Sequence, residues 1–209
     1  MAKGSHKQCY RHPYSDELCV KVPYNDLGKI DLEREISYLR RLYAVKDRIE
    51  CLPRYFGAVP VCVSPTDRDL ELKDCHTVGY VFEFVRNYDG SRCHTLLSYL
   101  IDEEKLRNSF GMLSKVILKL RSQMLTDKVF TMKLYSENIL IQEYEKAKFR
   151  AVIINDMGIS TAFKAHFKIG AVTRAHIERK WLSLVSNMMR DAANPVAVSF
   201  AAMFKGRDA

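Results

Sequence analysis

The chain has 209 residues, of which 47% are hydrophobic and 28% charged, an ordinary globular composition long enough to bury a core as one domain or two small lobes. Its longest nearly apolar run, 196–204, falls well short of the roughly 20 residues that span a bilayer. Residues 1–13 lack the apolar stretch of a signal peptide, so a cytoplasmic protein without a membrane span is expected. The net charge of +8 favours an acidic partner such as a nucleotide, a phosphorylated ligand or nucleic acid.

Residues 3–23 read as a small antiparallel sheet. In its last strand Leu18, Val20 and Val22 face one way, while Cys19 and Lys21 face the other. Residues 31–43 read as a helix with Asp31 as N-cap and a buried stripe of Leu32, Ile36, Leu39 and Tyr43. At 100° per residue Glu35 falls within the arc bounded by Leu39 and Leu42, so it needs a cationic partner if buried. Lys21 is the nearest candidate in sequence. Residues 52–59 and 78–85 read as strands, separated by a polar loop over 64–74. The turn-rich 86–91 then marks a change from mainly sheet to mainly helix.

Leu106, Phe110, Leu113, Ile117, Leu120 and Met124 define a long amphipathic helix started by Asp102, Glu103 and Glu104. Residues 131–158 follow as a loop, a strand at 139–141, a charged turn over 143–148, and a second strand at 151–154. Asn138 precedes the first strand and Asp156 follows the second, so both sit at the open end of one hairpin. That pairing is most often one of turn residues flanking core strands. It is also the oxygen-donor set a hard cation such as Mg²⁺ prefers. Ile177, Trp181, Leu184 and Met188 mark another helix ending before Asn194 and Pro195, and 196–204 a short last one. The six cysteines, Cys9, Cys19, Cys51, Cys62, Cys75 and Cys93, form no C-x-x-C pair, so free thiols are expected rather than a disulfide framework or a zinc site. Basic residues thicken over 164–180, but no aromatic-interleaved basic motif of the RNA-binding type appears, which makes a basic nucleic-acid-binding module the less favoured reading.

A strand lysine, a helix glutamate, a hinge, a long helix, and then a loop with Asn and Asp-x-Gly resemble a protein kinase. More narrowly, the chain is similar to the YrbL family, bacterial PhoP-regulatory-network proteins with a protein-kinase-like fold. The segments carrying the likeness are 4–13 (GSHKQCYRHP), 19–22 (CVKV), 52–57 (LPRYFG) and 131–140 (TMKLYSENIL). The resemblance implies an α+β, two-lobed fold: an N-lobe over 1–85 with a small antiparallel sheet and one helix, a hinge over 86–94, and a reduced helical C-lobe over 95–209 carrying the hairpin 131–158. It further implies ATP with Mg²⁺ in a cleft between the lobes. Lys21 would contact the phosphates and Glu35 would hold Lys21. Glu83, Phe84 and Val85 would present the hinge backbone to adenine, Gly4 would be the remnant of the glycine-rich loop, and Asn138 and Asp156 would bind the metal.

The departures from the kinase pattern bear on activity. Lys133 occupies the place of the catalytic-loop aspartate, and a protonated amine is no base. It could instead neutralise a phosphate, Glu137 or Asp156. Tyr135 replaces the usual lysine, and Met157 the phenylalanine of the D-F-G motif. A regulatory pseudokinase that signals nucleotide occupancy to a protein partner is therefore expected. The alternative is a divergent phosphotransferase acting on a protein or small-molecule hydroxyl, with Asp156 as substitute base; loss of the usual base costs about 10²–10⁴-fold and need not abolish transfer.

Overall fold

The computed structural model describes residues 2–3, 6–63, 70–71, 77–158 and 170–205. It has two units: Met1–Arg48 with Pro53–Val85, and Ile49–Leu52 with Arg86–Ala209. Gly4, part of the loop expected over 64–74, and 159–169 lie outside the described residues.

The first unit is built on a sheet of six strands in the order β1-β2-β3-β6-β4-β5, with neighbours antiparallel. The strands are β1 (Ala2–Lys3), β2 (Lys7–His12), β3 (Ser15–Pro23), β4 (Tyr55–Val63), β5 (Leu70–Glu71) and β6 (Thr77–Glu83). Alternation along β3 works as expected. Val20 and Val22 join Tyr10, Val61 and Val81 in one buried apolar cluster, leaving Cys19 and Lys21 on the opposite face. Cys19 and Lys21 are themselves buried, so both faces of the central strands are covered.

Helix α1 (Asp26–Tyr43) begins earlier than the expected Asp31. Its N-cap is Asn25, whose side-chain oxygen accepts from the Gly28 amide at 2.8 Å. Asp31 instead pairs with Arg34 one turn on, at 2.7 Å. The glycine in the first turn argues against a helix by propensity, yet packing requires it. A Cβ at Gly28 would lie 2.0 Å from the His6 carbonyl oxygen, a backbone atom fixed by the start of β2. Gly28→Ala is therefore expected to destabilise the protein by about 1–3 kcal/mol, because this overpacking outweighs the roughly 1 kcal/mol gained in helix propensity. Urea unfolding measures it, and a stabilised variant would contradict the close approach.

In the second unit, β7 (His94–Thr95) leads into the six-residue α2 (Leu96–Ile101), and α3 (Glu103–Thr126) follows with Asp102 as N-cap. Leu106, Leu113, Ile117, Leu120 and Met124 form its buried stripe, as the spacing predicts, while Phe110 is only half-buried. A 3₁₀ turn at Ser136–Asn138 opens the hairpin of β8 (Ile139–Glu145) and β9 (Lys148–Ile153), and β7-β8-β9 make a three-stranded sheet. The charged segment 143–148 is a correction to the sequence reading. Its polar residues continue both strands, and the chain reverses at Lys146 and Ala147, where Ala147 takes φ +60. Helices α4 (Gly170–Asp191) and α5 (Pro195–Ala202) close the unit. Fully buried Trp181 packs edge-on against Phe204, and Phe200 against Phe110.

The expectation of free thiols needs one amendment. Cys9, Cys19, Cys51 and Cys93 are free, whereas Cys62 is disulfide-bonded. No helix among the described residues is long and apolar enough to cross a membrane.

Candidate functional site

In the first unit, β3 presents Lys21 toward α1. Glu35 lies on the buried face of that helix, next to Leu32, Ile36 and Leu39, and is wholly inaccessible to solvent. A carboxylate so placed must be compensated, because an isolated buried charge costs several kcal/mol. The compensation comes from two lysines. Lys21 Nζ lies 3.8 Å from Glu35 Oε2, and Lys7 Nζ lies 2.8 Å from Glu35 Oε1. Lys21 is 7% exposed and rests over the Phe82 ring, 4.5 Å from its centroid, an arrangement that offers a cation–π contact.

Lys7 is the residue that sequence reasoning missed. A usable signal was present. Cys9 pairs with Lys21 across the β2–β3 ladder, so the two share a face, and Lys7, two residues from Cys9, shares it as well.

At the end of the same unit, Glu83, Phe84 and Val85 leave the sheet. The Glu83 amide donates to the Arg54 carbonyl at 2.9 Å and the Phe84 amide to the Glu17 carbonyl at 2.8 Å. The Glu83 carboxylate accepts from the Arg54 amide at 3.2 Å, and its carbonyl oxygen lies 3.7 Å from Cys19 Sγ. The stretch is thus a backbone pinned at its Glu83 and Phe84 amides.

The second unit carries the other polar group. Asn138 ends the 3₁₀ turn, its amide donating to the Tyr135 carbonyl and its carbonyl accepting from Ile154. Asn138 Nδ2 donates to Asp156 Oδ2 at 3.1 Å, and Asn155 Nδ2 donates to Asn138 Oδ1 at 3.3 Å. The hairpin therefore brings Asn138 and Asp156 together. Asp156 has φ +60 and Gly158 φ +103, left-handed conformations that an aspartate tolerates only sparingly and a glycine freely. The loop at 130–132 enforces this geometry: Met132 N–H donates to the Asp156 carbonyl at 2.7 Å and Gly158 N–H to Phe130 at 2.9 Å, with Thr131 and Met157 bridged between them. Met157 is fully buried. Lys180 from α4 caps the Met132 carbonyl at 2.5 Å, and its partial burial holds the ammonium below its usual range. Strained backbone held by neighbours on both sides is typical of functional positions.

Lys133 stands exposed in the same loop, as does Glu137. As for metals, no group of three or more His, Cys, Asp or Glu side chains could hold an ion among the described residues. The half-buried Asp156 carboxylate is a hard donor of the kind Mg²⁺ takes, with one or two protein ligands and a shell completed by water and phosphate; Asn138 turns its Nδ2 toward that carboxylate and its Oδ1 toward Asn155, so its amide would have to turn over to join the shell.

Comparison with known proteins decides the family. The family model described as PhoP regulatory network protein YrbL matches residues 1–189. The chain belongs to the YrbL family. Two YrbL proteins, from Escherichia coli (strain K12) and Shigella flexneri and both described as uncharacterized, are 26% identical to it over 163 residues, covering 77% of this chain and 71% of theirs. The YrbL fold is α+β and protein-kinase-like. A solved structure titled WaaP in complex with acyl carrier protein matches all of this chain and 78% of its own, with a TM-score of 0.54 at 10% identity.

Proposed function

We propose that this YrbL-family chain is a nucleotide-binding regulatory pseudokinase, with Lys21 as the phosphate-contacting residue of the first unit and Asn138 and Asp156 as the Mg²⁺-holding residues of the second. The observation that carries the reading is the Asn138–Asp156 pair, 3.1 Å apart, with Asp156 held at φ +60 by the loop that contains Lys133. Left-handed backbone at a non-glycine residue clusters at functional sites, which supports the reading.

In this reading Lys21, oriented by Glu35, contacts phosphate oxygens, and Asp156 and Asn138 hold the ion. Bound Mg²⁺ supplies charge neutralisation to the phosphates. Glu83, Phe84 and Val85 offer adenine a fixed edge. Lys133 is exposed and serves as a phosphate-neutralising cation rather than a base, which favours occupancy over transfer. The description of the family as a regulatory-network protein supports a protein partner that reads the nucleotide state.

Thermal unfolding with ATP and Mg²⁺ tests the binding. A ligand that binds only the folded state stabilises it by about 2.7 kcal/mol at 100 times its dissociation constant. The melting temperature of the wild type is expected to rise, and the rise to vanish in Lys21→Ala and Asp156→Ala. Incubation with γ-labelled ATP is expected to leave no labelled product. Transfer to the protein or to an added acceptor would favour the phosphotransferase alternative.

A further inference from the structure

Beside Lys21 lies a pair of thiols that nucleotide binding does not use. Cys9 on β2 pairs directly with Lys21 on β3, and Arg11 pairs with Cys19. Direct partners in an antiparallel ladder share a face, as do residues two apart in one strand. Cys9, Cys19 and Lys21 therefore crowd one face, with Cys9 diagonal to Cys19. Cys9 is partly exposed and Cys19 buried, so a reagent meets Cys9 first. Diagonal neighbours stand about 7–8 Å apart, too far for an unstrained disulfide but within reach of a hydrogen bond between sulfurs.

We propose that Cys9 is a site of reversible covalent modification by soft electrophiles and low-molecular-weight disulfides, activated by the Cys19 thiol and the Lys21 ammonium. In the disulfide reaction Cys9 Sγ attacks one sulfur of the small disulfide. A Cys9 mixed disulfide forms, the original S–S bond breaks, and the second half leaves as a thiolate. A small thiol reverses the exchange. The adduct then stands across the ladder from Lys21.

Electrostatics agree with the geometry. The hydrogen bond from Cys19 foremost, then the nearby charges of Lys21 and Lys7, bring the Cys9 thiol down to about 7 against the pull of burial. The same sharing, together with burial, drives Cys19 upward. Arg11 on the same face adds positive charge, and Glu35, bound to both lysines, is the opposing carboxylate. Burial raises Cys51 and Cys93 to about 12. Reactivity follows the thiolate fraction, so Cys9 should separate clearly from Cys51 and Cys93.

The test is iodoacetamide labelling of the folded full-length chain, followed site by site by mass spectrometry. Cys9 is expected to react at least about tenfold faster than Cys51 or Cys93 at pH 7, with a rate that rises through a midpoint near 7. Cys19→Ala should move that midpoint upward, and Cys19→Ser, which keeps a donor, should largely restore it. Oxidised glutathione should give a mixed disulfide at Cys9 that reduced glutathione removes. A wild-type midpoint at the ordinary thiol value, labelling of Cys9 no faster than Cys93, or a Cys9–Cys19 disulfide in place of the adduct would each overturn the proposal. The wild-type profile decides even if the Cys19 variants fail to fold. None of these readouts involves nucleotide, so the outcome is independent of the function proposed above.

Discussion

Glu35→Ala is expected to destabilise the protein by about 3–5 kcal/mol, the usual cost of removing one partner from a buried ion pair. Glu35 is fully buried, and the two ammonium groups around it differ in their means of escape. Lys7, 15% exposed at its side chain, can swing its head group into water along its flexible stem. Lys21, at 8%, cannot follow without disturbing β3, so it keeps most of the desolvation penalty. Glu35→Gln retains an acceptor for Lys7 and should cost less. Replacing both ends of the pair, as in Glu35→Leu with Lys21→Met, should recover much of the lost stability, since an apolar pair leaves no charge to compensate. Denaturant unfolding of the wild type, Glu35→Leu, Lys21→Met and the double variant forms a double-mutant cycle. Additive single effects, or a loss under 1 kcal/mol for Glu35→Ala, would show that the pair is not the electrostatic centre of the first unit.

Asp156→Asn is expected to abolish Mg²⁺-dependent nucleotide binding while leaving the fold intact. Asparagine adopts the left-handed backbone about as readily as aspartate, and its side-chain oxygen can still accept from Asn138 Nδ2. The local structure observed at φ +60 is thus preserved, and what disappears is one negative charge. Disturbing even the outer partners of a bound metal commonly costs 10–100-fold in affinity, so loss of a direct carboxylate ligand should cost at least that much. Circular dichroism and the melting temperature of the apo protein serve as the control. Unchanged Mg²⁺ dependence in a folded Asp156→Asn protein would return Asp156 to the role of an ordinary turn residue.

How much of this was legible depended on whether a signal was local. The stripe of α3 and the Val20–Val22 face of β3 could be read directly, because periodicity alone defines which residues are buried together. Glu35 could be found because helical geometry put a carboxylate among apolar neighbours. The start of α1 could not: Gly28 in the first turn looks like a helix breaker until the His6 carbonyl is seen against it. The Glu143–Lys148 segment was misread because solvent-facing strand residues and turn residues are equally polar. Helix α2 is only six residues long, too short for a periodic pattern to stand out. Lys7 was missed because its importance depends on strand register, which pairing across the β2–β3 hairpin sets and no single stretch of sequence displays. At the second site, the residue types of Asn138 and Asp156 were evident, but the left-handed backbone of Asp156 became visible only in the folded loop.

Calorimetric titration of ATP, with and without Mg²⁺, into the wild type, Lys21→Ala and Asp156→Asn tests the central claim most directly. The account predicts saturable one-site binding to the wild type with a dissociation constant below about 1 mM, equivalent to roughly 4 kcal/mol, and at least tenfold tighter with Mg²⁺. It also predicts weakened binding in Lys21→Ala and no Mg²⁺ enhancement in Asp156→Asn. No saturable heat at millimolar ATP, or binding indifferent to both substitutions, would contradict it.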